Sequence, residues 1–245
     1  MKAFKLSAAA IVALALAGCS GDKAGGNGVA AADFKVEQIA APNGGDWSQM
    51  VTQTPDGGFL MGNPAAKAKV VEYGSLTCSH CADFAENGQP KLIEKYVKSG
   101  QVSFEFRNFV RDPADMAASL IARCNGAGGF FPLADQLFAT QSDWLGKLQN
   151  MPAEQQAQLQ NLTPAQQVGI YAQATGLIDF ARVRGIPAAR AQACVADAAQ
   201  VQRLVEIGQK AGPIPGTPTF LINGNQVPNS ADWKTLEPAL QQALK

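Results

Sequence analysis

Cys78 and Cys81, in the run Cys78-Ser79-His80-Cys81, are spaced so that their sulfurs can close a small disulfide ring and reopen it. At the first turn of a helix, unpaired backbone N–H groups and the positive end of the helix dipole favour the thiolate over the thiol. The thiolate is the form that attacks disulfides, so a pair placed there points to thiol–disulfide exchange. Two close cysteines also serve as a static disulfide, as half of a zinc site or as a haem attachment. Zinc needs two further ligands. The sole histidine, His80, lies inside the motif, and Cys124 and Cys194 form no second close pair. Haem attachment needs His directly after the second cysteine, and position 82 is Ala. No metal and no cofactor is expected. With one histidine, and that one between cysteines, a Ser–His–Asp hydrolase has little support.

The pair needs a strand that ends just before it and a helix that begins with it. Val70-Val71-Glu72-Tyr73 is a compact apolar run ending at Gly74, which reads as that strand. After the pair, Phe84, Leu92, Ile93, Tyr96 and Val97 recur at helical spacing up to Gly100, with Pro90 set to kink the helix. Val102, Phe104 and Phe106 then alternate with Ser103, Glu105 and Arg107, predicting a half-buried strand. The start is therefore β-α-β.

Residues 111–207 are rich in Ala and Gln and are punctuated by Gly126, Gly128-Gly129, Pro152, Pro164, Gly176 and Pro187, which predicts several short helices and no strand. Strand character returns at Thr219-Phe220-Leu221-Ile222. Asn223-Gly224 is a hairpin turn into Asn225-Gln226-Val227. A last helix carries Trp233, Leu236, Leu240 and Leu244 on one face, with Pro238 in conflict inside it. The order reads βαβ, helical insertion, ββα. Between residues 33 and 60, Phe34, Val36 and Ile39 fit a strand or a short helix, and Asp56-Gly57-Gly58 signals a turn.

The segment Glu72-Tyr73-Gly74-Ser75-Leu76-Thr77-Cys78-Ser79-His80-Cys81, the helical insertion and Gly216-Thr217-Pro218-Thr219-Phe220 together resemble the DsbA-like thiol–disulfide oxidoreductase family of the thioredoxin superfamily, over about residues 58–245. The resemblance implies an α/β, thioredoxin-like fold with a helical insertion between the βαβ and ββα halves. The core domain is placed at 46–110 and 208–245 and the insertion at 111–207. It also implies roles. Cys78 matches the exposed, acidic cysteine that bonds to substrate, and Cys81 the buried partner. His80 matches a histidine that helps stabilise the Cys78 thiolate, and Glu72 a buried acid that accepts protons during exchange. Thr217-Pro218 matches a cis-proline loop that lies against the cysteines and meets the substrate backbone. Ser79 departs from the proline common in the oxidase motif.

The N-terminus has its own resemblance. Lys2 and Lys5, the apolar stretch 8–17 and Leu16-Ala17-Gly18-Cys19 resemble a bacterial lipoprotein signal, spanning 1–18, with Cys19 as the lipidated first residue. Residues 19–45, Gly-rich at first, are expected to be a flexible tether. Of five cysteines, four remain once Cys19 is assigned to lipid, an even number in an exported chain. Cys124 and Cys194 are therefore expected to form a structural disulfide, the alternatives being free buried thiols or a second redox relay. With 20 basic and 20 acidic residues among 245, no surface for nucleic acid is expected.

The resulting expectation is an enzyme, a protein disulfide oxidoreductase of the bacterial cell envelope. It faces the periplasm, is anchored to a membrane by lipid, and introduces disulfides into exported proteins with free cysteines. A membrane redox partner would reoxidise it. The alternatives are a disulfide reductase or isomerase, and a non-catalytic thioredoxin-like lipoprotein that holds a partner or copper through its thiols.

Overall fold

The alternating residues of Val102–Asn108 form strand β4 near the centre of a six-stranded sheet. The computed structural model describes residues 34–245. The expected signal, Cys19 and the tether up to residue 33 lie outside the described residues.

Strand β3 (Ala68–Gly74) runs parallel to β4 and antiparallel to β5 (Thr219–Ile222). The short β6 (Asn225–Gln226) closes one edge through the Asn223-Gly224 turn, whose φ values of 51° and 82° suit a tight hairpin. The other edge is a hairpin of β1 (Val51–Gln53) and β2 (Phe59–Gly62), joined through the Asp56-Gly57-Gly58 turn. The strand order is β1-β2-β4-β3-β5-β6. The β1–β2 hairpin is an addition to the sequence reading. Three-residue β1 has no alternation to detect. It is held by pairing to β2, and β2 by β4 and by Phe59 stacking on Phe130 at 4.1 Å.

Strand β4 is buried on both faces rather than one. Helices pack against it, and the buried Glu105 is paired with Arg107 at 2.8 Å and with the Thr54 hydroxyl at 2.6 Å.

The strand-to-helix step leads into α1 (Ser79–Asn87). After Gly88 come α2 (Gln89–Leu92), with Pro90 in its first turn, and a π-helical turn at Ile93–Val97. Between β4 and β5 lie eight α-helices: α3 (Pro113–Arg123), α4 (Gly126–Ala139), α5 (Gln141–Gly146), α6 (Ala153–Leu159), α7 (Pro164–Ala174), α8 (Leu177–Arg182), α9 (Ala188–Val195) and α10 (Ala198–Lys210). The boundary at 207 falls inside α10. Gly128-Gly129 does not break the chain, as expected from sequence, but lies inside α4. A Cβ at Gly129 would sit 2.5 Å from Asn125 Cβ, so the residue is small for close packing. The buried Phe130 and Phe131 that follow it outweigh its low helix propensity.

Helix α11 (Trp233–Ala243) ends the chain. Pro238 lies on its exposed side, as does Lys234, the residue whose carbonyl loses a donor to the missing N–H. The tether expected to reach 45 is tied down earlier. Ile39 N–H donates to Ser99 O at 2.7 Å, and Trp47 Nε1–H donates to Ile39 O at 2.8 Å. Among the described residues no helix is long and apolar enough to cross a membrane.

Candidate active site

Strand β3 delivers the chain to a tight loop, Ser75–Thr77, and Cys78 becomes the N-cap of α1 with extended φ/ψ of −91° and 122°. Cys78 N–H donates to Ser75 O at 3.1 Å, which closes that loop. Cys78 and Cys81 are both free thiols, and the helix start separates their chemistry. The Cys81 side chain, as hydrogen-bond donor, is the main influence drawing the Cys78 thiol down from 9.0 to about 4. Burial opposes it. The Thr217 side chain and the N–H groups of Cys81 and His80 reinforce it. Burial pushes the Cys81 thiol well up, assisted by the nearby Cys78 and Glu72.

Cys78 was expected to be exposed and is not: it is 4% accessible. Its Sγ lies 3.0 Å from the backbone O of Thr217, and Gln141 of α5 spans its other side, donating through Nε2 to Leu76 O (2.8 Å) and Cys78 O (3.0 Å). The loop before β5 and the helical insertion together cover the sulfur. The Thr217–Pro218 peptide bond is cis, and Pro218 is buried.

Glu72 lies in β3, paired with Phe106 of β4 and Phe220 of β5. It is 1% accessible, and neither carboxyl oxygen has a hydrogen-bond partner in the structure. Burial pushes its carboxyl well above the ordinary range, and the negative Cys78 and Asp135 push it further. Gly74, two residues on, leaves room for it: a Cβ there would sit 2.8 Å from Glu72 Oε1 and 2.4 Å from the Phe106 ring.

The His80 side chain is exposed. What it brings to Cys78 is its backbone N–H, a contribution any residue but proline makes. Cys124 and Cys194 are joined by a disulfide with Cα atoms 5.6 Å apart, tying the end of α3 to α9.

Three side chains at the site were not found from sequence. Asp115, on α3, is fully buried and accepts from Ser75 Oγ (2.6 Å), Leu76 N (2.9 Å) and Arg111 N (3.0 Å). Burial raises its carboxyl to about 7 against the pull of those donors. Gln141 holds the same loop from the opposite side. Asp135 of α4 accepts from Gln89 Nε2 at 2.8 Å, at the rim of a cavity of about 460 Å³ that also touches Ser79, Ala82, Asp83, Glu86 and Gln141. The signal present was Asp112-Pro113-Ala114-Asp115, a helix start with a capping Asp and Pro at the first position. It marks the helix but not its reach to Ser75.

Among the described residues no three His, Cys, Asp or Glu side chains cluster to hold a metal ion. The arrangement can form and break one S–S bond, with a stabilised thiolate at Cys78, a neutral thiol at Cys81 and a proton-bearing carboxyl near both.

A family model described as Thioredoxin matches residues 54–242. Among solved structures, the chain is similar to a protein-disulfide isomerase from Novosphingobium aromaticivorans, at 33% identity and a TM-score of 0.71, over 76% of this chain and 96% of that one. Alpha-DsbA1 of Wolbachia pipientis is similar in fold, at 21% identity and a TM-score of 0.62, over 79% and 93% of the two chains. A Rickettsia bellii protein that carries the provisional name protein-disulfide oxidoreductase is 28% identical over 191 residues, 76% of this chain. The chain spans 64% of that relative's length.

Proposed function

The chain belongs to the thioredoxin family, and from its site we propose that it is a protein thiol–disulfide oxidoreductase working in the oxidising direction. The observation that carries this reading is the separation of the two thiols, Cys78 drawn down to about 4 and Cys81 pushed well up.

In the oxidised enzyme, a substrate thiolate attacks Cys78 Sγ. The new bond is substrate S–Sγ78, the bond broken is Sγ78–Sγ81, and the electron pair leaves on Cys81 as a thiolate. Glu72, neutral because it is buried, is the nearby acid that can give Cys81 a proton and take one back in the reverse step. A second substrate thiolate then attacks the substrate sulfur and expels Cys78, an easy leaving group because its thiolate is stable. A pKa of about 4 favours the reduced enzyme at neutral pH by roughly 4 kcal/mol over an unperturbed thiol. At ~30 mV per 1.4 kcal/mol this moves the couple about 90 mV towards oxidising.

Redox equilibration with glutathione tests the direction. A potential well above the thioredoxin value of about −270 mV, with Cys78 titrating near 4, supports an oxidase. A thioredoxin-like potential favours the second reading, a reductase or isomerase, for which the Novosphingobium relative's name and Thr217 before the cis-proline speak.

We further propose that substrates are exported proteins with free cysteines, that a membrane redox partner reoxidises the centre, and that Cys19 carries the lipid anchor at the periplasmic side of the envelope. The supports are Leu16-Ala17-Gly18-Cys19 and a disulfide of the kind found in oxidising compartments. Metabolic labelling with a fatty acid tests the anchor: label that persists in Cys19→Ala removes it.

A further inference from the structure

The leaving sulfur of the exchange reaction, Cys81 Sγ, has one donor from outside its own helix, the backbone N–H of Ser75 at 3.5 Å. Of the influences on the Cys81 thiol, burial, Cys78 and Glu72 all push it up, and the Ser75 N–H alone pulls it down. That N–H is therefore the group placed to receive the negative charge when Cys81 departs.

Ser75 does not hold its own position. Its hydroxyl donates to Asp115 Oδ2 at 2.6 Å, and the following N–H, of Leu76, donates to Asp115 Oδ1 at 2.9 Å. One carboxyl group from the helical insertion thus grips both the side chain and the next peptide of the residue whose N–H faces Cys81. The Arg111 side chain backs the grip, its Nε donating to Ser75 Oγ at 2.9 Å, and Arg111 N–H supplies a further donor to Asp115. No contact is made between Asp115 and either cysteine in the hydrogen-bond network of the site.

We propose that Asp115 is a positioning residue of the exchange reaction: it fixes Ser75 so that the Ser75 N–H stabilises the thiolate expelled at Cys81. This rests on the disulfide-exchange reading above. Asp115 acts on the step in which Cys81 leaves. It makes no contact with Cys78, the sulfur that leaves in the later step, and Cys78 takes its stabilisation from Cys81, Thr217 and the first turn of α1.

The test uses the full chain, oxidised, mixed with reduced glutathione, and follows formation of the Cys78–glutathione mixed disulfide by rapid-quench alkylation. In parallel, Cys81 is titrated by thiolate absorbance in a Cys78→Ala background. Asp115→Asn is expected to slow the first step about tenfold, the scale of one hydrogen bond to a charged group, and to raise the Cys81 titration, while the Cys78 titration stays where it was. Ser75→Ala keeps the N–H and removes only the link to Asp115, so it is the milder variant should Asp115→Asn fold poorly. It is expected to move the same two readouts in the same direction by a smaller factor. Wild-type values for both readouts in a folded variant overturn the proposal, as does a Cys78 titration that moves together with Cys81. If the wild type forms no mixed disulfide with glutathione, the exchange reading fails instead, and the Cys81 titration still judges Asp115 by itself.

Discussion

Cys78 Sγ lies 3.0 Å from the backbone carbonyl of Thr217, a residue 139 positions away in the chain. The contact brings the strand-to-helix junction after β3 and the loop before β5 together over one sulfur atom. The Thr217 hydroxyl is buried with no hydrogen-bond partner in the structure, and turned towards the sulfur it would assist the thiolate.

That assistance is separable. Thr217→Val removes the hydroxyl and keeps the carbonyl and the bulk. The Cys78 titration is expected to rise by about one unit or less, and the potential to fall by up to ~30 mV. Thiolate absorbance and glutathione equilibration measure the two. An unchanged titration would show that the hydroxyl has no part in stabilising the anion.

The depressed Cys78 thiol gives the reduced protein a specific pH profile. Its folded value is about 4, below an unfolded value of about 8.5, so the contribution grows as pH rises through that window. It is lost as pH falls through about 4. The disulfide form has no such group. Denaturant melts should show the reduced protein gaining on the oxidised one by up to about 1.4 kcal/mol per pH unit, and Cys78→Ser should abolish the gain.

Glu72 carries the opposite sign. Burial raises its folded pKa above the unfolded one, so stability is fully present at acid pH and declines as pH rises above the ordinary carboxylate range. Glu72→Leu removes that penalty. In the oxidised protein, where Cys78 does not titrate, melts at neutral pH should show a gain of about 1–3 kcal/mol. Exchange should slow by roughly a hundredfold or more, since a general acid–base group is lost. A stabilised variant with undiminished exchange would show that Glu72 moves no proton in the reaction.

Gln141→Ala leaves the Leu76 carbonyl without its donor and the Cys78 carbonyl with the Ala82 N–H alone. Thermal or urea unfolding should register a loss of about 1–3 kcal/mol. The opened loop should also raise the alkylation rate of reduced Cys78, which is 4% accessible in the intact site.

The Cys124–Cys194 bond closes a loop of 70 residues, worth up to about 4 kcal/mol in the chain-entropy model. The double alanine variant should lose roughly 2–4 kcal/mol in denaturant melts while keeping the redox potential of Cys78 and Cys81, since both alanines lie away from that pair. A changed potential would mean that the two sulfur pairs are coupled.

The parts of this fold legible in sequence are those whose information is local. The Cys78-x-x-Cys81 spacing, the alternation in Val102–Asn108 and the Asn223-Gly224 turn each act over a few residues, and each forms the element its pattern predicts. The β1–β2 hairpin has no pattern of its own. It exists because β4 offers an open edge and Phe130 a ring to stack on.

By itself, then, the sequence determined a pair of thiols at a helix start, the halves of the sheet around them and an all-helical insertion. Only the tertiary structure decided that Cys78 is covered, that His80 faces solvent with its side chain, and that Asp115 and Gln141 grip the redox loop from two sides. The physical reason is range. Propensity and periodicity act between near neighbours. Burial, the field on a thiolate and a hydrogen bond to Ser75 from 40 residues away depend on distances that no stretch of sequence contains.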